Sequence, residues 1–317
     1  IPAIIQPTVT QLADVEREEP RGNAPMPTAI ARMIGQVLAS PEATETATPE
    51  AAATSTVTPT ATPCTTPGQI VTGTFSSASA GQSAYRIYLP PCYEQKGRVY
   101  PTLYMLPGNI HSDSVWDYLG LDEAAEAAIN AGDIPPLLIV MADSGPLINS
   151  TSGGPWSYES VIVDDLIPFI ESNYCAWKDP MGRAIGGMSR GGYWALEIAF
   201  RHPEQFASVG GHSAALLDLY GGPDVLPQYT GLTNDLGDLR IYFDIGENDW
   251  VINNVRQLHE DMEAAGKEHV WVLNEGRHED AYWASHGGEY LTWYSEPWPM
   301  QRNAYPTCSI EMENPSS

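Results

Sequence analysis

Positive charge is scarce in this chain. Of 317 residues, 15 are Lys or Arg and 40 are Asp or Glu, a formal net charge of -25. No Lys/Arg-rich run is present, so there is no electrostatic footprint for a phosphate backbone, and nucleic acid is excluded as a partner class. The acidity suits a solvated extracellular or saline setting, and equally an ordinary self-repelling soluble surface. Long apolar runs are also lacking. None approaches the roughly 20 residues of a membrane-crossing helix, so membrane insertion is not expected. No secretory leader is visible, and an opening at Ile1 instead of Met fits a mature, trimmed secreted protein. Cysteine is sparse, at four residues. With no CxxC and no Cys/His ligand spacing, neither a zinc site nor any other metal is expected, and nothing calls for a cofactor. There is no internal repeat.

A hydrophobic content of 43% is enough for one large domain. The organisation read from composition is an acidic extension over residues 1–40, a linker over 41–67 and a folded domain over 68–317. In the extension only 28–38 has the pattern of a short amphipathic helix. The linker, rich in Thr, Ala, Pro and Glu, cannot bury enough apolar surface to offset ordering. A disordered stalk is expected, of the kind common in exported proteins, serving as a spacer from a surface or as a tail without a role.

From residue 68 onward, strand patterns fall at 69–76, 83–89, 100–106, 136–141, 183–188, 206–211, 240–245 and 269–273. Helical patterns fall at 122–131, 158–174 with Pro168 as a kink, 193–200, 251–265 and 281–294. The run 136–141 is continuously apolar, as in a parallel strand covered on both sides. Residues 214–238, interrupted by Gly and Pro, read as irregular. The alternation predicts an α/β fold with a mostly parallel central sheet and helices on both faces.

The most informative stretch is Gly187-x-Ser189-x-Gly191. An apolar strand ends in a serine between glycines and a helix follows at once, the signature of a nucleophile elbow. Beside it stand YRIYLP at 85–90, YPTLYMLPG at 100–108, LIPFIE at 166–171, HPEQF at 202–206, DIGEND at 244–249 and GRHEDAYW at 276–283. As an ordered set these resemble the esterase D, feruloyl esterase and antigen 85 branch of the α/β-hydrolase superfamily. Where that family often carries His-Gly after its third strand, this chain has Pro107-Gly108.

The resemblance implies a Ser–Asp–His triad in that chain order. Ser189 is then the nucleophile, His278 the base and Asp249 the acid. For the base, His286 and His212 are weaker candidates, with His212 placed to line the cleft. Asp249 has the alternative role of capping the helix at 251–265. Asp244 falls inside a strand, where its charge needs a partner of its own. The backbone N–H groups of Arg190 and of Asn109 or its neighbour are expected to form an oxyanion hole. The Arg190 side chain is expected either to meet a substrate or, with more weight, to form an ion pair with one of the many acids. Trp116, Trp156 and Trp250 fall in loops at the carboxyl edge, where they would stack on sugar or aromatic rings or simply pack.

Four cysteines allow three pairings. In the implied fold the strand ending near Leu89 is antiparallel to the rest. Cys92 and Cys175 then emerge at the same sheet edge, giving the expected pairs Cys92–Cys175 and Cys64–Cys308. The resulting expectation is a secreted serine carboxylesterase acting on feruloyl or acetyl esters of polysaccharides. An acyltransferase or lipase of the same fold, or an inactive surface-binding module, is the alternative.

Overall fold

Helices cover both faces of one central sheet, and the pairing of its strands fixes which ends meet. The structure, a computed structural model, describes residues 64–93, 97–217 and 221–308. The short helix expected at 28–38, and the linker up to residue 63, lie outside the described residues.

Eight strands form one sheet in the order β1-β2-β4-β3-β5-β6-β7-β8. They are β1 Gln69–Ser77, β2 Gly81–Leu89, β3 Thr102–Leu106, β4 Leu138–Ala142, β5 Arg183–Met188, β6 Ser208–His212, β7 Arg240–Gly246 and β8 Val270–Asn274. β1 and β2 pair antiparallel, β2 pairs antiparallel with β4, and every other pairing is parallel. All eight strands fall within two residues of the expected bounds. The fully buried residues of β4 explain its unbroken apolar sequence, since helices cover both faces.

The helices are α1 Val115–Tyr118, α2 Leu121–Ala131, α3 Tyr158–Ser160, α4 Ile167–Asn173, α5 Arg190–Arg201, α6 Pro227–Thr233, α7 Ile252–Ala264 and α8 Asp280–Ser295. One core joins α4, α5 and α7 to the sheet through Ile170, Leu196 and Leu258, and the other joins α1, α2 and α8 through Trp116, Leu121 and Leu291. The helix expected over 158–174 is real but widens into a π-helical turn over Val161–Leu166. Pro168 follows directly, and with no N–H to give to the preceding turn it favours such a local departure from α geometry. Two short helices, α1 and α6, were not anticipated, and α6 lies within the stretch read as irregular. Pro227 opens α6, a position where its missing N–H costs nothing.

The cysteine pairing differs from expectation. Cys64 bonds to Cys92, and Cys175 bonds to Cys308. The shared sheet edge was inferred correctly, but the neighbours at that edge were not. Because β1 is antiparallel to β2, Gln69 lies opposite Leu89, so the chain before β1 runs beside the chain after β2. The Cys92 N–H donates to Thr66 O at 3.2 Å. Near the carboxyl end, Arg98 bridges to Thr307, Cys308 N–H donates to Gly97 O, and Tyr100 N–H donates to Cys175 O. That tail therefore arrives next to Cys175. Two disulfides are compatible with an oxidising, extracellular compartment. Among the described residues no helix is long and apolar enough to cross a membrane.

Candidate active site

Parallel pairing of Leu106 with Gly187 and of Met188 with His212 brings the ends of β3, β5 and β6 to one edge. Ser189 stands there, in the turn from β5 into α5, with φ 54° and ψ -119°. Positive φ is strained for any residue with a Cβ, so the surroundings must hold it. The Ser189 N–H donates to His212 O at 2.9 Å, and its carbonyl accepts from Tyr193 N–H at 3.1 Å and Ala215 N–H at 2.9 Å. Strand and helix pass so closely that a Cβ on Gly187 would lie 2.5 Å from the Gly191 carbonyl carbon. A Cβ on Gly191 would lie 2.4 Å from Pro107 O. The glycines two before and two after the serine are therefore steric requirements of this turn.

His278 follows β8. Its Nε2 is 2.8 Å from Ser189 Oγ, and its Nδ1 lies 2.9 and 3.0 Å from the two carboxylate oxygens of Asp249. A carboxylate only accepts, so it fixes the ring proton on Nδ1 and leaves the Nε2 lone pair facing the serine hydroxyl. Asp249 is buried, and its Oδ1 also accepts from Val251 N–H at 2.9 Å, just ahead of α7. That bond closes the turn leading into α7, which starts at Ile252 with Val251 at its N-cap, so Asp249 does not itself cap the helix. An arrangement of this kind can take a proton from a hydroxyl as it attacks a carbonyl and return it to the leaving group.

His212, expected to line the cleft, does not reach it. It is fully buried, its Nδ1 donates to Asp244 Oδ1 at 2.6 Å, its Nε2 lies 3.1 Å from Tyr294 OH, and its ring stacks on Tyr290 at 3.7 Å. Asp244 finds the partners its position in β7 demands, since Tyr282 OH and Tyr290 OH donate to its Oδ2 at 2.8 and 2.7 Å. Burial and the Asp244 charge push both phenols well up, which keeps them protonated as donors. Trp116 is also buried, with its indole N–H donating to Leu106 O at 3.1 Å, so it packs behind the site and touches no ligand space. The Arg190 guanidinium turns into the core as well. It donates to Ile148 O and Thr151 O and lies 4.0 Å over the Tyr193 ring. His286 sits beside Glu289 at 3.0 Å and packs on Tyr282, away from Ser189.

Trp250 and Trp156 are exposed, at 64% and 69%. The Trp250 ring centroid is 5.1 Å from that of His278, whereas Trp156 projects from the loop after β4 with φ 66°. A cavity of about 480 Å³ opens over Ser189 and His278, walled by Gly108, Asn109, His111 and Trp283. A larger cavity of about 860 Å³ lies at the opposite ends of β7 and β8 and includes none of Ser189, Asp249 or His278.

The family described as "Putative esterase" matches residues 76–286. The chain belongs to that family. An esterase of Mycobacterium tuberculosis is 33% identical over 145 residues, which are 44% of this chain and 30% of that protein. An endo-1,4-beta-xylanase/feruloyl esterase of Xylanibacter ruminicola is 33% identical over 155 residues, 45% of this chain and 21% of that protein. The chain therefore matches less than a third of the length of these relatives. Among solved structures, a ferulic acid esterase superposes with a TM-score of 0.67 at 24% identity, covering 74% of this chain and 100% of the other. An S-formylglutathione hydrolase from Agrobacterium tumefaciens gives a TM-score of 0.61 at 15% identity, covering 73% and 96%. At these identities the superpositions establish the α/β-hydrolase fold.

Several cavity residues escaped the sequence reading. His111 belongs to the loop after β3, and Asp280 and Trp283 open α8, with the Trp283 ring edge-on to His278 at 5.1 Å. Asp280 and Trp283 fall inside the GRHEDAYW motif, so proximity to His278 was the available signal. His111 carried none, because the turn that swings it back is set by Gly108 O accepting the His111 N–H at 3.1 Å.

Proposed function

We propose that this protein is a serine carboxylesterase that works outside the cell through an acyl-enzyme on Ser189, with feruloyl or acetyl esters of polysaccharides as its substrates. The observation that carries this reading is the hydrogen-bonded chain from Ser189 Oγ through His278 to Asp249, set at a strained strand-to-helix turn. Ser189 Oγ attacks the ester carbonyl while His278 Nε2 takes its proton. The N–H groups of Arg190 and Asn109 receive the negative charge that develops on the carbonyl oxygen. Collapse expels the alcohol, which takes the proton from His278. Water, deprotonated in turn by His278, then releases the acid and restores Ser189. Asp249 holds the imidazole in the required tautomer throughout.

Membership of the esterase family and the fold shared with ferulic acid esterases support carboxylic ester chemistry. Trp250, exposed beside His278, and the exposed Trp156 supply flat faces on which a sugar or aromatic ring would stack. The Thr/Pro-rich tract and the two disulfides favour an exported protein. The decisive experiment pairs p-nitrophenyl acetate turnover with fluorophosphonate labelling. Wild type should turn over and be labelled at Ser189 alone. Ser189→Ala should fold normally and lose a factor on the order of 10⁴ or more in kcat/KM. Labelling at another residue, or normal turnover by the variant, would reject the assignment.

A further inference from the structure

β8 ends the sheet, and its outer side pairs with no other strand among the described residues. Asn274 O accepts from Glu247 N–H and so faces β7; by the alternation of a strand, the N–H and C=O of Trp271 and Leu273 face outward. A free edge is a template for a further strand unless its sequence blunts it. β1, the edge at the other end, exposes only polar side chains, those of Gln69, Thr72, Thr74 and Ser76. β8 reads Val-Trp-Val-Leu-Asn, without Lys, Pro or Gly, and the side chains it exposes are Val270 at 39% and Leu273 at 48%. Helix α7 turns one flank toward this edge. Its Asn254 donates to Leu216 O on the side away from β8, whereas His259 stacks on Trp271 at 4.7 Å. Residues three and four apart share a helix face, so Arg256 and Glu263 lie with His259 along the β8 flank. Glu263 is 3.8 Å from the His259 ring, and Arg256 makes no ion pair among the described residues, in a chain with 40 acidic and 15 basic residues.

We propose that β8 is an interaction surface for a second copy of this chain, whose own β8 adds to it antiparallel about a two-fold axis at Trp271, making one sheet continuous across two molecules. Two observations point to a second copy and not to an unrelated strand. The first is that the edge is its own complement in the antiparallel sense. About that axis the outward backbone groups of Trp271 meet those of its counterpart, Leu273 meets His269 of the second copy, and the exposed Val270 packs on Val272. The second is charge. Because His259 is level with Trp271, the same axis passes close to His259, with Arg256 on one side of it and Glu263 on the other. Arg256 of each molecule then faces Glu263 of the other, and the cation left alone in one copy is paired in two. An unrelated strand would use the backbone edge and leave this pairing unused.

Sedimentation equilibrium of the full chain, from about 1 µM to about 100 µM, tests this. Wild type should associate to a dimer within that range. Val270→Lys, which sets a charge against Val272 of the second copy, should raise the dimer Kd by about tenfold or more. Arg256→Glu should do the same, since it creates two like-charge contacts, and adding Glu263→Arg to it should bring Kd back to within about threefold of wild type. Val270 and Arg256 lie at the surface, and near-ultraviolet circular dichroism reports that each variant keeps the wild-type fold; should Val270→Lys not fold, Leu273→Lys makes the same test. A wild type that stays monomeric at about 100 µM, a dimer that withstands the lysine, or a double variant no tighter than Arg256→Glu alone would each overturn the proposal. A monomer with slow amide exchange at Trp271 and Leu273 would mean that another segment of the chain covers the edge, and would overturn it as well.

Discussion

Glu197 on α5 supplies a quantitative test of how the core beneath the site handles charge. It is fully buried, its Oε1 accepts from Arg201 Nη1 at 3.0 Å, and its Oε2 has no hydrogen bond. Glu159 competes for the same guanidinium and also accepts from His202 and Gly154 N–H. Burial raises the Glu159 carboxyl, but the bonds from His202 and Gly154 and the Arg201 charge outweigh it and hold Glu159 below its ordinary value. Glu197 goes the other way, because burial and then the Glu159 charge push it from 4.5 to about 8. The folded protein thus binds the Glu197 proton more tightly than the unfolded chain does. The contribution is fully present below about pH 4.5 and is lost as pH rises through about 8. At about 1.4 kcal/mol per pH unit, the whole window is worth at most ~4–5 kcal/mol. Glu197→Gln keeps an acceptor for Arg201 and cannot titrate. Urea unfolding followed by Trp fluorescence, from about pH 5 to about pH 9, should show the variant gaining on wild type as pH rises, by up to a few kcal/mol. A difference between the two proteins that stays constant or shrinks with rising pH would refute this account of the buried pair.

Asp249→Asn should lower kcat by about 10³–10⁴-fold through the wrong imidazole tautomer. It should leave stability nearly unchanged, because the Asn oxygen can still accept from Val251 N–H; activity within tenfold of wild type would remove Asp249 from the mechanism. Peptide mapping without reduction should recover Cys64 with Cys92 and Cys175 with Cys308. Replacing Cys175 and Cys308 together by Ala, which opens a link across a sequence separation of 133 residues, should cost about 2–5 kcal/mol in denaturant unfolding; an unchanged midpoint would contradict the pairing. A cavity of about 480 Å³ should favour acetyl and butyryl over palmitoyl p-nitrophenyl esters. Rising kcat/KM along that series, at the ~0.8 kcal/mol per methylene of full burial, would show an apolar channel and a lipase.

The parts of this fold that were legible in sequence are those where one local rule and the tertiary environment agree. The β4 run was apolar because both its faces are covered, and the glycines of the elbow were required by contacts of a few ångströms. Asp244 was expected to need partners and has three, His212, Tyr282 and Tyr290. What misled was distance across the fold. Trp116 and His212 do occur at the carboxyl edge, but sequence does not reveal that α8 lies over them. The disulfide pairing turned on which chain ends run side by side, a consequence of the β1–β2 register and of a bridge between Arg98 and Thr307. No periodicity encodes either. His111 was missed for the same reason, since its relation to Ser189 is made by a backbone turn.

The buried carboxylate of Asp244 also has a consequence in time. It ties β7 to α8 through two tyrosine hydroxyls and to β6 through His212, while His278 lies only two residues ahead of α8. Loosening α8 would therefore strand a charge away from water, so the helix is not free to fray by itself. It should open with the edge of the sheet as a single cooperative unit, and slow amide exchange should be shared between α8 and β7. The loop that presents His278 is anchored at one end of that unit, and Trp283 of α8 packs edge-on against its ring, so the imidazole stays aligned with Ser189 between opening events.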